Sequence, residues 1–184
     1  EHANREVDLA ATQILHRRGH QRRDHHVDLA IGVFPDAPPE VRARRLFEDR
    51  FVTVHRVGHP RIGSTLSLRT FLAESHALVA PRGTAAGLVD RVLAEQGLTR
   101  RIAWAFPTFF GALWHVASSD AILTVSARLV AAVAERLPLV VCTPPIDLPT
   151  YTLVLAWHPR TSRSPEDSWL RDLLVRTAEG LPSV

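Results

Sequence analysis

The segment from Arg101 to Arg128 constrains the fold of this chain more than any other stretch. In RIAWAFPTFFGALWHVASSDAILTVSAR, an alternating apolar run ends at Pro107, a helical pattern follows, and a second apolar run leads into another helical stretch. A strand followed by a helix and another strand is the repeating unit of a parallel sheet covered by helices. Small molecules commonly bind at the carboxyl ends of such strands, where backbone N–H groups of helix starts are unpaired. The segment therefore predicts an α/β fold with a ligand pocket near Pro107.

Apolar runs that precede this segment extend the same pattern. VDLAIGVF, which begins at Val27, is nearly continuous and typical of a strand buried on both faces. The following PDAPPEVRA predicts a proline-rich loop. LFEDRFVTVHRV alternates through Phe51, Thr53 and His55 and predicts one further strand. GHPRIGST then predicts a turn-rich boundary between two lobes near residues 58 to 66.

The second half of the chain alternates helical and strand-like stretches. Helices are predicted over residues 66–74, capped by Thr65 or Ser67, over 85–96 and over 126–136, and strands at ALVA, LPLVVC and YTLVLAW. Gly97 occupies the C-cap position of the second of these helices.

The last helix has clear start and stop signals. Ser164 is a good N-cap residue, Pro165 suits the first helical position, and Gly180 closes the helix. The spacing predicts a buried face composed of Trp169, Leu170, Leu173 and Leu174.

Composition limits the class of protein. The 184 residues suffice for one domain or two small lobes, and no apolar run is long enough to span a bilayer, so a soluble cytoplasmic protein is expected. All 22 basic residues are arginine, which indicates compositional bias, so the basic pI is weak evidence for nucleic-acid binding. The single cysteine, Cys142, cannot form an intrachain disulfide and lies in an apolar run. The absence of methionine predicts a fragment of a longer protein.

Histidines near the N-terminus raise the question of a metal site. His16 and His20 are four residues apart and would share one face of a helix, and His25 and His26 follow. No carboxylate or thiol completes a ligand set, so a solvated basic segment is favoured, and neither a metal nor a cofactor is expected.

Six blocks of sequence, in this order, resemble those of one family. They are VDLAIG, LFEDRFVTVHRVGHP, LSLRTFLAESHALVAPRGT, GLVDRVLAEQGLTRRI and SSDAILTVSARLV, followed by LPTYTLVLAWHPRTSRSPEDSWLRDLL. The segment from Val27 to Glu179 is similar to the effector-binding domain of LysR-type transcriptional regulators. Its last blocks resemble the branch that senses aromatic acids, nitroaromatics and plant flavonoids.

The resemblance implies a periplasmic-binding-protein-like fold of type 2. Two Rossmann-type lobes would be joined by two crossover strands, with residues 1–62 and 148–184 in the first lobe and 63–147 in the second. A small aromatic or carboxylate effector would bind between the lobes. The family forms homodimers or homotetramers, and it binds DNA only through a separate N-terminal winged helix-turn-helix domain.

Three features of this sequence differ from the family pattern. Thr108 follows the proline in FPTFF, where relatives of this branch carry a histidine, and Ser126 stands where many have proline. The segment before VDLAIG is also shorter than in the family, so the first lobe is expected to be incomplete at its N-terminus.

Seven residues are candidates for ligand binding. The resemblance places His76 at an effector-contacting position, and the alternative is a histidine that caps a strand. Thr108 can offer a hydroxyl and helix N–H groups to an anion, or it can simply cap its own helix. Phe109 and Phe110 can stack on an aromatic ligand or belong to the core. Phe34 and Pro35 would line the first lobe, and Thr124, which ends its strand beside Thr108, would reach the same pocket.

Two other classes of function are weighed against this one. Ser126, His158 and Asp120 have the residue types of a hydrolytic set, but no G-x-S-x-G motif presents the serine, so no catalysis is expected. A module that only oligomerises is the second alternative. If the ligand hypothesis holds, Thr108→Val and His76→Ala are expected to weaken binding without unfolding the chain.

Overall fold

The chain forms two compact units. A computed structural model describes residues 28–34, 37, 39–63, 65–81, 86–159 and 164–182. The first unit ends at Asp49 and resumes at Tyr151, and the second unit holds Arg50–Thr150. The candidate metal ligands His16, His20, His25 and His26 lie outside the described residues.

The first unit is built on a three-stranded antiparallel sheet. Strands β1 (Leu29–Gly32), β2 (Arg42–Asp49) and β8 (Tyr151–Trp157) are arranged in the order β1-β8-β2. β1 and β8 were both predicted from their apolar runs. β2 begins inside the predicted proline-rich loop. The sequence did not indicate this start because the exposed arginines of β2 break the apolar alternation, and the strand is defined by its pairing with β8.

Helix α5 (Pro165–Glu179) completes this unit. Its start is the predicted one: the Ser164 side chain accepts a hydrogen bond from the backbone N–H of Asp167, and Pro165 opens the helix. The predicted buried face is wrong. Trp169 is 62% exposed, whereas Arg171, Val175 and Ala178 are buried. Arg171 lies over the Trp157 ring at 5.3 Å, so a cation–π contact forms part of the face that is buried.

The second unit is built on a five-stranded mixed sheet. Its strands are β3 (Phe51–Arg56), β4 (Ser75–Val79), β5 (Arg101–Phe106), β6 (Ala121–Ser126) and β7 (Leu139–Cys142). Their order is β5-β4-β6-β3-β7. β4 runs parallel to β5 and β6, whereas β3 is antiparallel to β6 and β7. The parallel strands expected from the opening segment are therefore present.

Four helices cover the two faces of this sheet. They are α1 (Leu68–Ala73), α2 (Leu88–Glu95), α3 (Phe109–Ala117) and α4 (Ala127–Val133). Successive residues of β6 contribute to opposite faces, as expected for a buried strand. Leu123 packs with α3 and α4 in one core cluster, and Ile122 packs with α1 and α2 in the other.

The division of the chain differs from the lobes predicted at residues 58 to 66 and 148. β3 belongs to the second unit because it pairs with both β6 and β7. The segment LFEDRFVTVHRV is therefore two strands of two different sheets, separated by Arg50. Within the described residues, no helix is both long and apolar enough to cross a bilayer.

Candidate ligand site

The N-terminus of α3 follows directly from the carboxyl end of β5. Pro107 ends the strand, and Thr108 adopts an extended conformation and caps the helix. The Thr108 hydroxyl accepts a hydrogen bond from the Gly111 N–H at 3.3 Å. A Cβ on Gly111 would lie only 3.2 Å from that hydroxyl, so glycine leaves room for the cap. The capping role of Thr108 is confirmed, and Gly111 is a site residue that the sequence analysis missed.

The two phenylalanines after Thr108 do not belong to the core. Phe109 is 47% exposed and Phe110 is 66% exposed, although both open a helix whose other face is fully buried. Exposed adjacent aromatic rings at a helix start can stack on a planar ligand, while the unpaired N–H groups of the first turn attract negative charge. The start of α3 therefore presents an exposed aromatic surface next to the weakly positive N-terminus of the helix.

Thr124 lies elsewhere in the sheet than the sequence predicted. β4 separates β6 from β5, so the strand that contains Thr124 lies two positions, or about 10 Å, from the strand that precedes Thr108. Thr124 shares the face of Ile122, which packs with α1 and α2, whereas α3 covers the other face. Its hydroxyl is 3.0 Å from that of Thr53, its partner on β3. The strand also continues past Thr124 to Ser126, which caps α4.

His76 is fully buried near the opposite end of the strands from Thr108. It pairs in register with Ile102 and Ile122, close to the amino ends of β5 and β6. Its Nε2–H donates to the Phe71 carbonyl at 2.7 Å, and its Nδ1 accepts from the Arg100 guanidinium at 3.2 Å. Both ring nitrogens thus already have protein partners.

The charge state of His76 follows from this environment. Burial, and then the neighbouring positive charge of Arg100, lower the pKa of His76 from 6.5 to about 4. The imidazole is therefore neutral at physiological pH. A neutral ring with two internal hydrogen bonds is suited to joining α1, β4 and β5, which is a structural role.

Phe34 lies just beyond β1 in the first unit and is partly buried. Its ring folds back over Gly32: a Cβ at that position would lie 2.9 Å from Cζ of Phe34. Gly32 therefore makes room for the aromatic ring. Pro35 lies outside the described residues.

A polar cluster that the sequence analysis did not identify occupies the amino ends of β4 and β6. Arg61 makes a bidentate ion pair with Glu74 at 2.7 Å, and the Arg56 guanidinium donates to the Asp120 carboxylate. Hydrogen bonding to Arg61 lowers the pKa of Glu74. The buried His59 donates through Nε2 to the Asp120 carbonyl and accepts at Nδ1 from the Arg61 N–H. Internal pairing of these groups favours a structural role.

The described residues contain neither the suggested hydrolytic set nor a group of three or more side chains arranged to hold a metal. Asp120 precedes β6 and Ser126 ends it, so the two lie at opposite ends of a six-residue strand, roughly 20 Å apart. A serine nucleophile and its supporting carboxylate must lie within a few ångströms of the same histidine. Ser126 instead accepts a hydrogen bond from the Leu129 N–H as a helix cap.

Comparison with known proteins identifies the family. The model of the LysR substrate binding domain matches residues 6–179, nearly the whole chain. The chain belongs to the LysR substrate-binding domain family. The match begins well before Val27, so the family resemblance extends further toward the N-terminus than the sequence blocks indicated.

Regulators from several bacteria are similar to this LysR domain. It is 35% identical over 173 residues to the HTH-type transcriptional regulator SyrM 1 of Sinorhizobium fredii, covering 94% of this chain and 51% of that protein. It is 35% identical over 151 residues to the transcriptional activator NagR of a Ralstonia species, covering 81% of this chain and 50% of NagR. The chain thus spans about half the length of the curated relatives it matches.

Solved structures agree with this assignment. A probable transcriptional regulator from Pseudomonas aeruginosa is 34% identical, with a TM-score of 0.72 over 85% of this chain and 50% of that one. The periplasmic-binding-protein-like α/β fold of type 2 is confirmed by such matches to LysR regulators. The LysR domain is regulatory and not catalytic, which confirms the prediction that the chain is not an enzyme.

Proposed function

We propose that this LysR domain senses a small aromatic carboxylate at the N-terminus of α3, with Thr108, Phe109 and Phe110 as contacting residues. The observation that carries this proposal is the exposure of two adjacent phenylalanines, 47% and 66%, at the start of a helix that is otherwise well packed. Burying such rings against a ligand would recover apolar area that the fold leaves in water. The resemblance to the aromatic-acid branch supports the same ligand class.

Each residue has a distinct proposed role. Backbone N–H groups of the first turn of α3 would donate to the carboxylate, and Thr108 would orient that turn through its bond to Gly111. Phe109 and Phe110 would stack on the aromatic ring. We leave His76 out of this site, since both of its ring nitrogens are bonded within the protein.

The remaining candidates, Thr124, Phe34 and Pro35, have weaker support as contacting residues. The Thr124 hydroxyl would bind a ligand only if its hydrogen bond to the Thr53 hydroxyl were replaced by one to the ligand. Phe34 and Pro35 are proposed for the first unit because they follow the carboxyl end of its first apolar run.

At the level of the whole protein, we propose that ligand binding modulates DNA binding by a helix-turn-helix domain elsewhere in the full-length regulator. Such an arrangement is supported by the names of the HTH-type relatives, since this chain matches about half the length of each. We further propose a homodimer or homotetramer that acts in the cytoplasm.

Calorimetry with a matched set of small molecules tests the ligand class. Benzoate and salicylate carry a ring and a carboxylate, benzamide lacks the charge, and cyclohexanecarboxylate lacks the aromatic ring. Measurable heat with benzoate or salicylate, weakened about tenfold or more in the other two, is the expected result. Equal heat with benzamide would contradict a role for the helix N-terminus.

Three variants test the location. Phe110→Ala and Thr108→Val are expected to weaken binding of the best acid at least tenfold, whereas Trp114→Ala, which removes another exposed aromatic ring one turn further along α3, is expected to leave it unchanged. Absence of heat with every acid, together with a dimer by analytical sizing, would favour the alternative of an oligomerisation module.

A further inference from the structure

Helix α5 carries a second apolar stripe on the side opposite to its buried face. Trp169, Leu170 and Leu173 are 62%, 37% and 37% exposed. With 3.6 residues per turn, these three side chains share one side of the helix, which points away from the side of the buried Val175 and Ala178. We call these three residues the outer face of α5. Residues whose spacing predicted burial therefore remain in water.

The exposure of the outer face indicates that it contacts another protein surface. Burial of apolar surface is favourable by about 25 cal/mol per Å². A helix whose side chains are apolar on two opposite sides ordinarily has both sides covered. The first unit covers one side of α5 through its buried face and leaves the other in water. Contiguous exposed apolar side chains of this kind mark sites of protein–protein contact.

One charge of each sign flanks the outer face. Glu166 lies one turn before Trp169, and Arg176 lies one turn after Leu173, and both charged residues are exposed. The Ser164 hydroxyl donates a hydrogen bond to the Glu166 carboxylate at 2.7 Å and lowers the pKa of Glu166, so this carboxylate is charged at neutral pH. The stripe therefore has a negative end, an apolar centre and a positive end.

We propose that the outer face of α5 binds the same face of a second copy of this chain, with the two helices antiparallel about a two-fold axis near their middle. In that register Trp169 of one copy lies against Leu173 of the other, and Glu166 lies opposite Arg176. A parallel pair would bring each charge against its own kind, which repulsion opposes. This inference rests on the homo-oligomer proposed above and is independent of the proposed ligand.

The size of the outer face sets the strength of the expected contact. α5 has 15 residues and is therefore about 22 Å long and about 10 Å wide. One side of such a helix offers less area than the roughly 800 Å² per partner that stable interfaces bury. The dimer is therefore expected to dissociate on dilution, and its dissociation constant is the quantity to measure.

Sedimentation equilibrium of the intact chain over a range of concentrations tests the surface. The unchanged chain is expected to shift from monomer to dimer as the concentration rises. Leu173→Glu places a charge at the centre of the outer face and is expected to raise the dissociation constant of the dimer about tenfold or more. Val57→Glu is the matched control. It makes the same kind of change at another exposed position, where the side chain is 58% exposed, and is expected to leave the constant unchanged.

Exchange of the two flanking charges tests the antiparallel register. Glu166→Arg alone or Arg176→Glu alone places like charges opposite each other and is expected to raise the dissociation constant about threefold or more. The two changes together restore opposite charges and are expected to return the constant to within about twofold of its original value. Loss of stability alone would not produce such a recovery. Denaturation of dilute samples, in which the monomer dominates, checks that each variant is folded.

Three results would overturn the inference, and they separate it from the wider proposal. A chain that stays monomeric at every concentration would remove the second copy as the partner, and with it the proposed association of this domain. A dimer that Leu173→Glu leaves as strong as before would keep the homo-oligomer but place its contact elsewhere. Additive weakening in the charge-exchanged double variant would exclude the antiparallel pair. Calorimetry with the aromatic acids is read separately, so none of these results decides the ligand site.

Discussion

Arg100 donates a hydrogen bond to Nδ1 of His76 at 3.2 Å while it forms a bidentate ion pair with Asp90 at 2.7 and 2.9 Å. Asp90 in turn accepts from the Gly87 N–H at the start of α2, at 2.6 Å. Burial opposes ionisation of Asp90, yet hydrogen bonding to Arg100 and Gly87 lowers its pKa overall. A single guanidinium therefore links the buried imidazole of β4 to the cap of α2.

The low pKa of His76 makes the stability of the chain dependent on pH. As the pH falls, the unfolded chain binds a proton at this histidine near pH 6.5, whereas the folded chain binds one only near pH 4. Unfolding is therefore favoured progressively through this window. Urea denaturation is expected to show roughly 2 kcal/mol less stability at pH 5 than at pH 7.5 from this residue.

His76→Gln provides the comparison, because glutamine can both donate and accept but does not titrate. In this variant, most of the difference in the free energy of unfolding between pH 7.5 and pH 5 is expected to disappear. An unchanged difference would show that other groups cause it. His76→Ala is now expected to destabilise the chain, since it leaves the Phe71 carbonyl and Arg100 without their partner.

Breaking the ion pair between Asp90 and Arg100 is expected to be costly. Their side chains are only 19% and 2% exposed, so removing one partner leaves a charge with little access to water. Asp90→Asn or Arg100→Gln is expected to lower the free energy of unfolding by about 3 kcal/mol, measured by denaturant titration. The double variant should lose clearly less than the sum.

An exposed pair is the control for this effect. Arg45 and Glu48 form an ion pair with side chains 64% and 50% exposed, and Arg45→Gln is expected to cost less than about 1 kcal/mol. Equal losses at the exposed and buried pairs would contradict the importance of burial.

Gly97 follows Gln96, the C-cap residue of α2, and has a positive φ of 69°, a conformation that is unfavourable for residues other than glycine. A Cβ there would meet no atom within 4 Å, so any loss on substitution comes from the backbone alone. Gly97→Ala is expected to cost about 1 kcal/mol in thermal or chemical denaturation. Gly63→Ala, also in open space and without a positive φ, is expected to be neutral. Similar losses at both glycines would contradict this explanation.

The face of α5 that packs against the first unit can be tested by truncation. Val175 is 5% exposed, and Val175→Ala is expected to lower the free energy of unfolding by about 1 to 2 kcal/mol. Trp169 is 62% exposed. Trp169→Ala removes a much larger side chain, but it is expected to lower the free energy of unfolding by less than Val175→Ala does. A larger loss for Trp169→Ala than for Val175→Ala would instead support the buried face that the sequence predicted.

Local signals in the sequence predicted the elements whose cause is itself local. Thr108 and Ser164 cap their helices as expected, because a cap depends only on a side chain and the backbone N–H three residues later. The order of the sequence blocks likewise indicated the family and the fold, since strands separated by helices leave few arrangements for a sheet.

Long-range pairing accounts for what the sequence did not predict. LFEDRFVTVHRV reads as one alternating strand, yet pairing of its first part with β8 and its second part with β6 and β7 divides it between two sheets. His76 looked like a ligand residue because its type and position allow that role. Its burial and its two partners, which come from a residue five positions earlier and one 24 positions later, are visible only in the folded chain.

The sequence by itself therefore determined the helix starts, the parallel strand-helix-strand core and the family of this LysR domain, because these depend on neighbouring residues and on the order of blocks. Only the tertiary structure decided which strands share a sheet, which face of α5 is buried, and that Thr108 and His76 lie near opposite ends of the strands. Those facts depend on contacts between residues that are distant in the chain, and hydrophobic periodicity carries no information about the identity of the partner.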